Sequence, residues 1–356
     1  MGERYFHFLA SLLVFTSFVK TFGTPESRAA RALLSPLLGG VPLIGECSLA
    51  RNMHEWQFPF TPKIIGTSPH LFQMPSDFNP AYARRFHVTG FWVLPEAAQL
   101  QITKGEGGAR EVFGGEDELA RISAFLVEGE APVYVGWGSM IATSPCFMAK
   151  LAVHALLLAK RRGIVLGGFA KLSADMLSDG PQKLIDYARE NVLFVSSAPH
   201  EWLLPKCAVL VHHGGSGTTA AALRAGVPMV VTPCLADQFD NAAQIAREGG
   251  GVNAGALKKL TPECLAKAVR EASTEEVKRA ASRLGEQVRD ERGLENASEL
   301  LLSFYKEEVA SGVWAGNFKA VLEERMAYRW QGYLYGLVGA FHSIFYLLRA
   351  LVFDTF

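Results

Sequence analysis

Apolar positions along this chain follow two patterns. Short continuous runs occupy 132–136, 164–168, 192–196, 207–211 and 228–232, each closed by turn-forming residues. Runs this brief and rich in Val, Ile and Leu read as strands buried on both faces. Helically spaced apolar positions separate them, as Phe147, Leu151, Ala155 and Leu158 do within 146–160. The segments 183–190, 200–204, 218–225 and 237–248 read the same way, and 262–272 and 275–290 close the series as amphipathic, largely polar helices. Strand and helix in alternation predict an α/β domain at 131–291 built on a parallel, doubly wound sheet. Ligands of such sheets bind beyond the carboxyl ends of the strands. Four segments fall there: 136–140, 197–200, 212–219 and 234–240.

The two ends are apolar in another way. Residues 6–19 form a hydrophobic run behind Arg4, so 1–23 reads as a signal peptide or membrane anchor. Residues 332–348 are apolar on all sides, and a helix of that kind is buried or in contact with lipid. The expected division is completed by 24–100 as the remnant of an N-terminal domain, 101–130 as a linker and 292–356 as C-terminal helices. The 356 residues allow about two domains. Lys and Arg total 35, as do Asp and Glu, which provides no basic field for a nucleic acid. Cys47, Cys146, Cys207, Cys234 and Cys264 are odd in number and lack C-x-x-C spacing, so they read as free buried thiols.

The most informative chemistry lies at 212–219, HHGGSGTT. After the run at 207–211, Gly214, Gly215 and Gly217 read as a tight turn, followed by a helix at 220–224 that Gly226 stops. A strand, a glycine turn and a helix N-terminus present free backbone N–H groups to an anion. His213, Ser216, Thr218 and Thr219 add side-chain donors. The turn is neither a P-loop, since Thr218 and Thr219 follow its last glycine, nor a G-x-G-x-x-G dinucleotide loop. The glycines alone are also compatible with a purely structural turn. A nicotinamide-dependent oxidoreductase on the same sheet is excluded by the lack of an acidic residue near Phe169.

The ordered segments APHEWLLPKC (198–207), HHGGSGTT (212–219), RAGVP (224–228) and DQFDNA (237–242) resemble the sugar-nucleotide signature of UDP-glycosyltransferases. The likeness is strongest to the sterol 3-β-glucosyltransferase branch and to bacterial macrolide and glycopeptide glycosyltransferases, and it covers roughly 59–289. It implies a GT-B architecture whose Rossmann-like C-terminal domain binds a UDP-sugar without a metal. It implies that His213 donates to a phosphate, with Gly215, Ser216, Gly217 and Thr218 around the diphosphate and Ser139 facing it from the other side. Asp237 and Gln238 match the pair that addresses the sugar hydroxyls, although Asp237 also suits a helix N-cap.

Plant members stack a tryptophan on the uracil where this chain has Ser197, so the base is expected to meet backbone near Ala198 and the side chain of His200. Trp202 suits the core better. The ribose glutamate of plant members is replaced by Ala221, as in the sterol branch. His212 reads as structural, with no third ligand for a metal. Upstream, only SPH (68–70) and VTGFW (88–92) resemble the tail of the family's N-terminal domain, and none of His54, His70 and His87 sits in a motif marking a catalytic base.

The expected function is therefore inverting transfer of a hexose, glucose foremost, to a sterol or other lipid hydroxyl. The alternative is a non-catalytic or partner-dependent UDP-sugar module whose acceptor site comes from another subunit. A lipid-like acceptor and two apolar ends suggest membrane association with the donor domain cytosolic, while the Asn296 sequon would matter only in the secretory pathway.

Overall fold

The computed structural model describes residues 61–72, 84–104 and 113–327. They form two units: a smaller one containing 61–65, 84–87 and 297–327, and a larger one spanning the described residues from 66 to 296 apart from 84–87. The described residues open with a two-stranded sheet of β1 (Lys63–Ile65) and β2 (Phe86–Val88). The larger unit continues with α1 (Glu96–Lys104), α2 (Gly115–Val127), β3 (Val133–Gly136), α3 (Pro145–Ala159), β4 (Gly163–Leu166), α4 (Gln182–Asn191), β5 (Val192–Val195) and α5 (His200–Leu203). It closes with β6 (Val209–His212), α6 (Ser216–Ala225), β7 (Met229–Val231), α7 (Gln238–Arg247), β8 (Gly251–Asn253), α8 (Pro262–Ala272) and α9 (Glu275–Arg289). The six strands β3 to β8 pair in the order β5-β4-β3-β6-β7-β8, all parallel. The expected doubly wound α/β sheet is therefore present.

Alternation along the strands divides the core into two layers. Val133, Val135 and Trp137 pack on one face with Leu151 of α3 and Leu265 and Val269 of α8. Tyr134, Leu210 and Val231 pack on the other with Ile122, Leu203, Leu223 and Val288. The period of two sends successive residues of β3 to opposite layers. Helices α3 and α8 start alike: Ser144 and Thr261 accept from the N–H of Phe147 and Cys264 at 3.2 and 3.3 Å, with Pro145 and Pro262 at the first helical position.

Some elements differ from the sequence pattern. Strand β8 was not anticipated, because GVN is short and it pairs with β7 alone at the sheet edge. The stretch expected as linker contains α2, whose Glu118 accepts from the Ser196 N–H at 3.2 Å. Cys264 is exposed and Cys146 and Cys234 only partly covered, so Cys207 alone of the described cysteines is a buried free thiol. In the smaller unit, α10 (Gly293–Phe304) leads through a π turn to α11 (Val313–Ala327). There Arg85 pairs with Glu308 at 2.6 Å, and the Trp314 indole donates to Thr61 at 3.0 Å. Among the described residues no helix is long and apolar enough to cross a membrane. The apolar runs at 6–19 and 332–348 lie outside the described residues.

Polar contacts tie the carboxyl ends of the central strands together. The Trp137 indole donates to Thr232 Oγ1 at 2.9 Å, and the Thr232 hydroxyl and N–H reach the His212 carbonyl at 3.2 and 2.9 Å. In the other layer Tyr134 Oη lies 3.0 Å from His200 Nε2. Burial holds His200 down at about 4; burial first, then His213 and His200, hold His212 down at about 3. Both imidazoles are thus neutral when folded and free to protonate near 6.5 when unfolded. A depressed folded pKa gives stability that is complete above the unfolded value and is lost as pH falls below it. Between about pH 6.5 and about pH 5 each histidine should remove up to about 1.4 kcal/mol per pH unit. Urea unfolding across that window should show the midpoint falling, and His200→Gln should reduce the slope. A midpoint independent of pH would contradict the burial of two neutral imidazoles.

Candidate functional site: the rim at the carboxyl ends of β3, β6 and β7

Strand β6 ends at His212, and the chain turns through Gly214 into α6. Gly214 has φ +85°, and a Cβ there would lie 2.9 Å from Val231 Cγ1 and 3.0 Å from the Gln238 carbonyl, so only glycine fits. Gly215 is the N-cap of α6 in extended conformation, and a Cβ on it would fall 2.3 Å from His213 Nε2. Its bare backbone is what lets the imidazole lie against the start of the helix. The first bond inside α6 runs from the Thr219 N–H to the Gly215 carbonyl, 2.9 Å. The N–H groups of Ser216, Gly217 and Thr218 therefore have no acceptor within the helix and face outward at its positive end. Gly217, expected in the turn, lies in the first turn of a helix that starts at Ser216 rather than at 220. A glycine N-cap with a short serine after it lets the helix begin earlier than its apolar spacing shows.

Two neighbouring loops enclose this point. After β3, Trp137–Met140 form a turn closed by Met140 N–H to the Trp137 carbonyl at 3.0 Å, with Ser139 exposed at its tip. A Cβ on Gly138 would lie 3.1 Å from His213 Cε1, so the His213 ring is held between Gly138 and Gly215. After β7, Ala236 adopts φ +49°, a strained conformation for a residue with a side chain, and Asp237 follows. The Asp237 side chain does not cap α7; Ser216 Oγ donates to its Oδ2 at 3.2 Å. Asn241 Nδ2 donates to the Gly214 carbonyl at 2.8 Å. Ser139, His213, Gly215, Ser216, Gly217, Thr218 and Asp237 thus share one edge of the sheet, on loops leaving three adjacent strands.

Two expected residues are placed differently. Gln238 is buried, and its Oε1 accepts from the N–H groups of Cys234 and Leu235 at 2.8 and 3.1 Å while its Nε2 meets Met140 Sδ at 3.5 Å. It staples the loop on which Asp237 sits instead of presenting its amide to a sugar. The side chain of His200 points inward to Tyr134, because a buried phenol requires a partner, and so does not face a base. Ala198 is buried in the layer that holds Tyr134, which leaves only its backbone to serve a ligand. Trp202 packs against that layer with Lys206 Nζ 4.4 Å from its ring centre, in keeping with a core role. Sequence reasoning missed Asn241 and Met140. Asn241 lies inside DQFDNA and was legible there as an amide of no assigned role.

His213 is buried, which lowers its pKa, while Asp237 opposes the shift, so the ring meets an incoming anion in its neutral form. Its Nδ1 is buried without a hydrogen-bond partner. An imidazole between two glycines, three outward N–H groups and a carboxylate tied to the same helix start are suited to a diphosphate whose far side bears hydroxyls. Two depressions of about 600 and 740 Å³ lie elsewhere, one lined by His154, Lys160 and Tyr187 and the other by Arg247, Glu271 and Arg283; neither includes a rim residue.

A family described as Erythromycin biosynthesis protein CIII-like, C-terminal domain, matches residues 166–297. The sterol 3-beta-glucosyltransferase of Yarrowia lipolytica is 31% identical over 252 residues, 70% of this chain and 16% of that protein. That of Pichia angusta is 33% identical over 242 residues, 67% of this chain and 18% of that protein. The chain therefore spans less than a fifth of the length of these curated relatives. The crystal structure of the glycotransferase of kitacinnamycin shares the fold, with a TM-score of 0.50 and 21% identity over 85% of this chain and 67% of that one. The resemblance read in the four motifs is borne out: residues 166–297 match the erythromycin biosynthesis protein CIII-like C-terminal domain, the chain is similar to sterol 3-beta-glucosyltransferases, and it shares its fold with a solved glycosyltransferase.

Proposed function

We propose that this chain binds the UDP-sugar donor of a UDP-glycosyltransferase of inverting type, which passes a hexose, glucose foremost, to a sterol or other lipid hydroxyl. The observation that carries the reading is the meeting of the α6 N-terminus, His213 and Asp237 at one edge, with Ser216 bridging the helix to the carboxylate. The names and identity of the relatives support the choice of sugar and acceptor. In the transfer, the acceptor oxygen bonds to the anomeric carbon as the bond from that carbon to the β-phosphate breaks. UDP leaves with the electron pair, and the acceptor proton passes to a base. Fixed donors at the start of α6 stabilise the charge that grows on the β-phosphate, as an oxyanion hole does.

Because that charge is met by N–H groups and an imidazole, we propose turnover without a divalent cation. A second reading is favoured by one observation: the rim histidines are taken by the diphosphate cradle and by Tyr134, which leaves the acceptor-activating base unassigned among the described residues. In that reading the chain is a donor module completed by a partner subunit. UDP release that depends on a sterol, from the full chain alone, rejects the second reading; donor binding without turnover supports it. UDP release unchanged by EDTA is expected, and its abolition would refute the metal-free cradle. We also propose membrane association with the donor domain on the cytosolic side, which carbonate extraction of the full chain tests.

His213→Ala should weaken UDP binding by about 1.5–3 kcal/mol, the range for a hydrogen bond to a charged group. Asp237→Ala should spare UDP and reduce the preference for UDP-glucose over UDP-GlcNAc, since it addresses hydroxyls. Equal losses of UDP affinity in both variants, measured by calorimetry, would contradict this division. The diphosphate of a UDP-sugar should raise the pKa of His213 from its depressed free value. UDP-glucose affinity should therefore rise as pH falls from about 7.5 to about 5.5, with proton uptake on binding. His213→Ala should remove that slope, and a slope surviving the substitution would assign the proton elsewhere.

A further inference from the structure

We infer that His212 and Asn241 are positioning residues that clamp the Gly214 peptide from both sides and so aim the first turn of α6 at the donor. This inference rests on the donor-binding reading above. The Gly214 N–H donates to His212 Nδ1 at 3.1 Å, and the Gly214 carbonyl accepts from Asn241 Nδ2 at 2.8 Å. Both backbone polar groups of Gly214, at φ +85°, are thus fixed by side chains from different elements, the end of β6 and the first turn of α7. The next residue, Gly215, is the N-cap of α6, and its backbone lies against His213. A rotation of the Gly214–Gly215 peptide would swing the outward N–H groups and the imidazole together. Glycine permits many such rotations, so a turn built from it holds an aim only if something else removes the freedom.

The chemistry of His212 suits that task and no contact with a ligand. Its ring is fully buried, and Nδ1 acts as acceptor, so the neutral ring carries its proton on Nε2, which is buried without a hydrogen-bond partner. Protonation would turn Nδ1 from acceptor to donor and break the clamp; burial opposes it. The groups facing this ring agree. His213 follows it, His200 lies in the same layer hydrogen-bonded to Tyr134, and none of the three is an anion that would favour an imidazolium. Adjacent histidines in the motif thus divide the labour: His213 meets the phosphate, and His212 holds the turn from below.

Two substitutions separate this role from simple packing. His212→Asn places an acceptor oxygen close to the position of Nδ1 in a smaller side chain, whereas His212→Phe keeps the ring and its volume but offers no acceptor. The clamp predicts UDP affinity within about threefold of native for His212→Asn and a loss of about tenfold or more for His212→Phe, the scale of one hydrogen bond. A packing role predicts the reverse order, and that order would overturn the inference. Should His212→Phe fail to fold, Asn241→Asp tests the other side, because a carboxylate cannot donate to the Gly214 carbonyl. It should lose affinity while Ser216 and Asp237 remain in place, and native UDP binding in this variant would refute the clamp.

A readout on the unmodified full chain needs no ligand. The ¹⁵N shifts of His212 should show the neutral Nε2–H tautomer unchanged from about pH 5 to about pH 8, with the Gly214 amide protected from exchange. An Nδ1–H tautomer or a freely exchanging Gly214 amide overturns the inference even if the chain binds UDP. Failure to bind UDP with the expected tautomer and protection would instead strike the donor-binding reading.

Discussion

The carboxyl end of β6 is the point on which the rest of the larger unit depends. The His212 carbonyl takes the Thr232 N–H and hydroxyl, and Thr232 in turn takes the Trp137 indole, so three adjacent strand ends are fixed by one run of hydrogen bonds. The side chain of His212 takes the Gly214 N–H and starts the turn into α6. A parallel sheet leaves its strand ends free to diverge into separate loops. Buried polar contacts in a low dielectric hold these loops to one geometry, because each such group is costly to leave unpaired. The cradle is consequently rigid where it must be, although it is lined by glycine.

Burial does a second thing at this edge. It keeps His200, His212 and His213 neutral, in each case as the leading effect. Only His213 is placed against the outward N–H groups of α6, so only there can an arriving anion repay the cost of a charged ring. The carboxylate of Asp237 lies on the same helix start through Ser216, which places an acceptor beside a set of donors. That pairing fits a ligand with phosphates at one end and hydroxyls at the other. Exposed apolar side chains, Ile141, Phe169, Leu235 and Phe239, stand on the loops around it.

The match to the erythromycin biosynthesis protein CIII-like C-terminal domain lies over 166–297, the stretch that carries most of this rim. The chain's curated relatives extend over more than five times the matched length, and the family match at 166–297 covers strands β5 to β8 and the motifs that follow them. What the rim supports is the proposed binding of a donor. The strained Ala236 before Asp237 and the stapling of that loop by Gln238 show how the Asp237 carboxylate is held without a cap bond to α7.

The sequence by itself determined the sheet, the order of strand and helix, and the edge at which the motifs gather. Those features follow from short-range rules: β-branched runs such as 209–211 bury on two faces, and glycine at 214 permits the turn that an N-terminus needs. It did not determine where the polar side chains point. His200 and Gln238 sit in motifs that read as ligand contacts, yet His200 turns to the Tyr134 phenol and Gln238 to the loop N–H groups of Cys234 and Leu235. Asn241 carried no visible role until Gly214 was brought beside it. Strand β8 was silent because an edge strand needs only one partner and little apolar character. Periodicity records burial, which is a property of a residue and its near neighbours. A hydrogen bond between residues far apart in sequence depends on which unpaired group the fold delivers within about 3 Å, and only the tertiary structure decides that.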